Sequence, residues 1–340
     1  MSGPGRGGGR ERSQERGGGR GEQLAVPEVK LQSYYGQPIV RAPVWGHGIP
    51  AYFFTGGLAA GCSLLAAGAD LTGRPAMRRA GRLVSLGALG ASAGLLVSDL
   101  GRPDRFYNML RLAKPTSPMS IGSWILATFG PPAGVAAIAE FADRLPRRGV
   151  LGLARRVLPP AGRAAGLAAA GVAPALATYT AVLIADTAAP SWHEAYPELP
   201  FVFAGSALAS ASGVGLLAAP PAETTPARRL ALAGAAIELA ASRSIQTRLG
   251  LLSEPYRQGS AGRLLRTGRG LTLVGALGAL LGGRSRLVSA LSGAALLAAS
   301  AATRFGIYAG GAASMKDPRY TVVPQRQRLD QGRPARADDT

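Results

Sequence analysis

The feature that most constrains this chain is a series of long stretches without a single charged side chain. Residues 48–69, 115–139, 164–185 and 199–222 carry no Asp, Glu, Lys or Arg at all. Crossing about 30 Å of hydrocarbon takes about 20 mostly apolar residues in helical form. Each of these stretches is long enough. Four weaker windows follow the same pattern. Residues 83–98 and 270–283 are shorter. Residues 230–242 are apolar except for Glu238, and residues 287–303 continue past Arg304 to residue 315. Arginines at the ends of the short windows can snorkel to the interface and extend their reach. Backbone inside lipid must satisfy its own hydrogen bonds, so the runs are expected to be helices. The expected architecture is an all-α integral membrane protein of about eight transmembrane helices, arranged as two four-helix bundles, with both termini on one side. Small residues recur at four-residue spacing in Gly57/Gly61, Gly87/Ala91 and Gly90/Gly94. That spacing lets helices approach closely in lipid, and a composition rich in Gly and Ala also produces it by chance.

The regions outside these windows read differently. Residues 1–30 are rich in Gly, Arg, Glu and Gln and lack the apolar surface needed to fold alone. No apolar segment follows their charges, so they do not read as a secretory signal. Residues 31–47 form an interfacial lead-in, residues 48–315 the membrane domain, and residues 316–340 a polar tail. The tails and loops hold the mean hydropathy to +0.14, although only 17% of residues are charged, against about 25% in soluble domains.

The net charge of +19 invites a nucleic-acid reading. The arginines, however, fall mostly between apolar runs, where Lys and Arg ordinarily flank membrane spans. The expected basic contacts are therefore with membrane lipid, and no nucleic-acid partner is expected. One cysteine, Cys62, and two histidines, His47 and His193, bound the redox chemistry. A cluster of iron and sulfur needs several thiolates, and a membrane-buried haem needs axial ligands. No haem, iron–sulfur cluster or other metal site is expected in this chain, so any metal centre belongs to a partner.

Ionisable groups near membrane depth are expensive and often functional. Asp70, Asp99, Glu140 and Asp186 stand at the ends of windows. For Asp70 and Glu140 the expectation is an interfacial charge in contact with headgroups and water. Glu238 lies inside an apolar run and needs a partner or a neutral state. Arg243 and Arg304 are the candidates. The connection after the second window, residues 98–124, reads SDLGRPDRFYNMLRLAKPTSPMSIGSW. Pro103 can open a helical turn, Pro115 and Pro118 interrupt the chain again, and Ser120 can cap the third helix. Residues 103–114 read as an interfacial helix. The alternative is a docking platform for a partner, with a ligand pocket beneath it.

At this connection the sequence resembles a family. DLGRPDRFYNMLR, followed by PTSPMSIGSWIL, is similar to the signature of the NrfD/PsrC (polysulfide-reductase-type) integral membrane subunits. So are IPAYFFTGGLAAG at residues 49–61 and YTAVLIADTAAPSW at residues 179–192. The resemblance covers about residues 34–310, and in the last three spans it rests mainly on hydropathy. It implies eight or more helices, no redox metal in this subunit, and a quinone, of the menaquinone type, bound among the first four helices. It also implies a docked ferredoxin-like iron–sulfur subunit and, beyond it, a molybdopterin oxidoreductase catalytic subunit. On that basis the chain is a quinone-interacting anchor in the plasma membrane, non-catalytic alone. Tyr179 matches the tyrosine of the family's quinone-pocket motif, with Ala181 in place of the usual glycine. Tyr52, His47 and Asp99 complete the expected quinone-binding set. Asp186 and Glu238 are the expected proton relays. Arg102, Arg105, Arg111 and Lys114 are the expected docking cations, with Arg102 belonging to the family motif. A secondary transporter and a purely structural anchor without a quinone site are the alternatives, since transporters also use broken helices and intramembrane charge.

Overall fold

A computed structural model of the chain describes residues 39–40, 45–282 and 285–330. They belong to one compact unit beginning at Gly36. The expected tail at residues 1–30 lies outside the described residues.

The helices follow the apolar windows closely. In chain order, α1 spans Gly48–Leu71, α2 Pro75–Ser98, α3 Pro118–Ala139 and α4 Gly149–Ala185. After a short α5 (Pro190–Glu194) come α6 (Leu199–Ala218) and α7 (Thr225–Arg248). A single turn, α8 (Glu254–Arg257), precedes α9 (Gly259–Leu281), α10 (Arg286–Lys316) and α11 (Arg319–Asp330). Among the described residues there is no strand. Seven helices are long and apolar enough to cross a membrane: α1 to α4, α6, α9 and α10. The eighth expected crossing, α7, has 24 residues, but Arg228, Arg229, Glu238, Arg243 and Arg248 dilute its apolar character. Its place in the bundle supplies what its composition lacks, because it packs along α6 and α9. The polar tail expected from residue 316 starts with the helical α11.

The long helices form two four-helix bundles. In the first, α1 packs on α2 and α4, and α3 on α4 and α2; in the second, α6 packs on α7 and α10, and α9 on α10 and α7. The seam between them runs along α1, which also touches α6 and α10. Glycine makes that seam possible: a Cβ at Gly61 would overlap the Ala207 carbonyl of α6. The small-residue pair Gly57/Gly61 is therefore a true packing face. The pairs Gly87/Ala91 and Gly90/Gly94 are not, since added Cβ atoms at Gly87, Gly90 and Gly94 meet open space.

Eight antiparallel helices bring alternate connections to opposite ends. At one end lie the start of α1, the α2–α3 connection, α5 and α8. Contacts across it tie the chain together: Trp45 stacks on Trp192 at 6.3 Å, Ser191 donates to the Leu252 carbonyl, and Tyr256 donates to that of Ser191. Glu198, just before α6, is gripped there by Arg248 at 2.6 Å and by Ser244 at 3.0 Å. Burial pushes the Glu198 carboxyl's pKa up, but these hydrogen bonds and the Arg248 charge outweigh it and hold it below the ordinary glutamate value.

At the opposite end, Asp70 and Glu140 depart from the interfacial expectation. Their side chains are only 9% and 4% exposed and are shared by Arg78 and Arg82 of α2. Turned into the bundle, each finds a guanidinium before it reaches a headgroup. Arg78 and Arg82 each bridge both carboxylates, and the exposed Arg163 reaches Asp70 at 3.7 Å, so the two buried acids are matched by three cations.

Candidate functional site

A cavity of about 400 Å³ lies inside the first bundle at the end where α1 begins and α2 ends. Four helices and two connections contribute to its wall, and most of what they contribute is apolar. Ile49, Tyr52 and Phe53 come from α1, Leu96 from α2, Met119, Gly122 and Ser123 from α3, and Tyr179 and Leu183 from α4. Trp45 closes it ahead of α1. Asp99, Leu100 and Met109 close it from the α2–α3 connection.

The polar groups in this wall are few. Ser123 spends its hydroxyl on the Met119 carbonyl, 3.0 Å away, within its own helix. Tyr52 and Tyr179 are buried, at 2% and 7% exposure, and their rings meet edge to face at 6.5 Å. Neither hydroxyl has a hydrogen-bond partner among the described residues. Both residues line the cavity, so their hydroxyls are available to what enters it. Gly122 sets the position of Tyr179: a Cβ there would overlap the tyrosine ring. The α1 wall is fixed from behind, where Thr55 and Ser92 hydrogen-bond at 2.7 Å and lock α1 to α2. Trp45 is held from outside by Tyr308, which donates to its carbonyl at 2.8 Å.

Of the four residues expected to bind a quinone, three line this cavity: Tyr179, Tyr52 and Asp99. Asp99 is exposed at the mouth, as the residue that closes α2. His47 is exposed one residue before α1 and does not line the cavity. Asp186 is also exposed and outside the lining. Two helical turns would set it on the face of Tyr179, but α4 ends at Ala185, and Asp186 has already left the helical path with ψ at 13°. Leu183, one turn from Tyr179, takes that face instead. Sequence reasoning did not single out Trp45, Met109, Met119, Gly122 or Leu183. Gly122 and Met119 lie within the quoted PTSPMSIGSWIL motif, which was the available signal.

The α2–α3 connection roofs the cavity. Residues Pro103–Leu110 form a 3-10 helix, shorter than the expected helix over residues 103–114. Met109 turns down into the cavity, while Phe106, Tyr107 and Leu110 face outward. Arg102, Arg105, Arg111 and Lys114 are all exposed around them. Arg105 has only a long contact to the exposed Asp104, at 3.9 Å. Ser120 does not cap α3, which starts at Pro118; it accepts from the Lys114 amide and donates to the Leu112 carbonyl, pinning the connection to α3.

The second bundle holds the remaining expected relay. Glu238 of α7 is 3% exposed and accepts from Thr303 of α10 at 2.6 Å. Of its two candidate cations, the fold selects Arg304, which is fully buried. Among the described residues, no cluster of His, Cys, Asp and Glu is arranged to hold a metal ion.

A bundle of membrane-spanning helices with a cavity under a basic, aromatic roof defines the class: a polytopic all-α membrane protein. A model of the polysulphide reductase NrfD family matches residues 37–230, more than half of the chain, and the chain belongs to that family. Members of the family are membrane subunits of polysulfide- and molybdoenzyme-type reductase complexes. The match takes in α1 to α6 and ends within α7. No curated protein matches the chain.

Proposed function

We propose that the cavity of the first bundle binds a quinone, of the menaquinone type, and that the chain passes electrons between the membrane quinone pool and a partner's iron–sulfur clusters. The partner is a ferredoxin-like subunit docked on the α2–α3 connection, with a molybdopterin catalytic subunit beyond it, all held at the plasma membrane. The observation that carries this reading is the pair of unpartnered tyrosine hydroxyls in an otherwise apolar cavity beneath a cationic roof. A quinone headgroup presents two carbonyl oxygens that become hydroxyls when two electrons and two protons are added. A tyrosine hydroxyl donates to the first form and accepts from the second, so Tyr52 and Tyr179 serve both. The apolar wall suits the ring and the start of the isoprenoid tail, as in most small-molecule sites. The roof places the partner's cluster over the cavity and contributes encounter rate and register.

The test is turnover of the assembled complex with quinone, alongside its activity with an artificial electron acceptor or donor. Tyr179→Phe and Tyr52→Phe each remove one hydrogen bond, worth about 0.5–1.5 kcal/mol, so quinone-linked turnover is expected to fall about two- to tenfold while subunit composition and dye-linked activity stay unchanged. Unchanged quinone-linked turnover in both variants would overturn the assignment.

A further inference from the structure

The family match ends at residue 230, and the most unusual chemistry of the second bundle lies after it. Glu238 sits near the middle of the 24-residue α7, and Arg304 near the middle of the 31-residue α10. Both are sealed from solvent. They are close enough to interact electrostatically, yet they make no ion pair within contact distance among the described residues. Glu238 Oε1 accepts from Thr303, but its Oε2 has no protein partner. Arg304 donates to the Phe203 carbonyl at 2.7 Å and, at the limit of hydrogen bonding, to Ser206, which itself pairs with Ser300. Its Nη1 has no protein partner. Two buried atoms of opposite character are thus left without a protein partner in one cluster.

The surroundings are built to hold this arrangement. Gly57 of α1 leaves room for the guanidinium: a Cβ there would stand 2.5 Å from Nη2. Gly205 of α6 does the same for the α7 backbone at Glu238. Arg304 lies over the Phe203 ring at 4.0 Å, Phe203 packs on Phe53 at 6.0 Å, and Phe53 lines the cavity of the first bundle. The cation thus stands behind the cavity's back wall, separated from it by two rings.

We propose that Glu238 is a proton-binding site of the second bundle, and that Arg304 links its occupancy to the charge of the molecule in the cavity. The proton adds to Oε2 and leaves from it, and no electron moves at this site. The carboxylate is supported only by one hydroxyl and an offset cation, and its Oε2 is left open to a proton. Among the described residues, the one charged group acting on it is Arg304. Thr303 faces it from α10 and the Gly205 backbone from α6, while α1 and α9, the other helices on α7, present no charge that acts on it among the described residues. Electrons that reach the cavity ahead of their protons leave negative charge there; it draws on Arg304, weakens its hold on the carboxylate and favours proton uptake until the protons arrive. The binding site is independent of the quinone reading; the link to the cavity rests on it.

Infrared difference spectroscopy of the full chain in membranes tests the site without any quinone. Lowering the pH is expected to raise a protonated-carboxyl C=O band that Glu238→Gln abolishes and Thr303→Val shifts, since Thr303→Val keeps the acid and removes its hydrogen bond. A spectrum in which no band titrates, or in which Thr303→Val leaves the band unmoved, would overturn the site. In the assembled complex, delivering electrons to the bound quinone is expected to change the same band transiently, before the quinone's protons arrive, and Arg304→Gln to abolish that change. A band that titrates with pH but ignores quinone reduction overturns the link when extraction shows quinone bound. If extraction shows none, the quinone reading fails instead, and the pH titration still decides the site.

Discussion

At the residue scale, the cavity depends on a missing side chain as much as on the ones present. Gly122 lets α3 lie against the Tyr179 ring, where even a methyl group would overlap. Forcing an extra methyl into such a contact costs about 1–3 kcal/mol, and here the ring that must move carries the hydroxyl. Gly122→Ala is therefore expected to lower the melting temperature of the purified chain and to depress quinone-linked turnover more than Tyr179→Phe does; turnover at the wild-type level would separate Tyr179 from ligand binding. Tyr179, Tyr52 and Asp99 were legible because their motifs carry them. Asp186 shows why spacing alone is not enough: a two-turn separation places residues on one face only while the helix lasts, and α4 ends one residue too early. Glu238 was legible as a group in need of a partner. Its choice of Arg304 over Arg243 was not, because Arg304 arrives from another helix 66 positions along the chain.

At the element scale, the α2–α3 connection and the α5–α7 corner have distinct tasks. The connection exposes four cations, one of them (Arg105) within its short 3-10 segment, and three aromatic or aliphatic side chains on that segment. Arg105→Glu with Arg111→Glu is expected to weaken assembly with the iron–sulfur subunit through slower association, most strongly at low salt, without changing the melting temperature of the isolated chain. Co-purification and association kinetics measure this, and full assembly of the double variant at low salt would count against the platform. At the corner, Glu198 joins the start of α6 to Arg248 at the end of α7. Its depressed pKa means that the contribution is complete above the ordinary glutamate value and is lost as pH falls through the lowered folded-state value. The melting-temperature gap between wild type and Glu198→Gln is expected to narrow from neutral to acid pH; a gap independent of pH would mean that the carboxylate's charge is not what stabilises the corner. The helices themselves were legible because lipid leaves the backbone few options. The buried position of Asp70 and Glu140 was not, because facing Arg78 and Arg82 depends on how α1, α2 and α3 are rotated about their axes.

At the scale of the whole molecule, the two bundles divide the chemistry. The first, within the family match, holds a cavity with two free hydroxyls and a carboxylate at its mouth. The second, largely beyond the match, holds a sealed acid and its cation. α1 is the shared wall, presenting Tyr52 and Phe53 to the cavity and Gly57 to Arg304. Hydropathy revealed the number of long helices but not this division, which depends on which faces of α1 meet which neighbours. The account stands on occupancy of the first cavity. The most direct measurement is photolabelling of the assembled complex with an azido-quinone, followed by mass spectrometry of the modified residues. Adducts on the cavity-lining residues of α1 to α4 or of the 3-10 segment, such as Tyr52, Met109, Met119 and Tyr179, suppressed by excess natural quinone, are the expected result. Specific, competable labelling confined to other parts of the chain, or to a partner subunit, would contradict it.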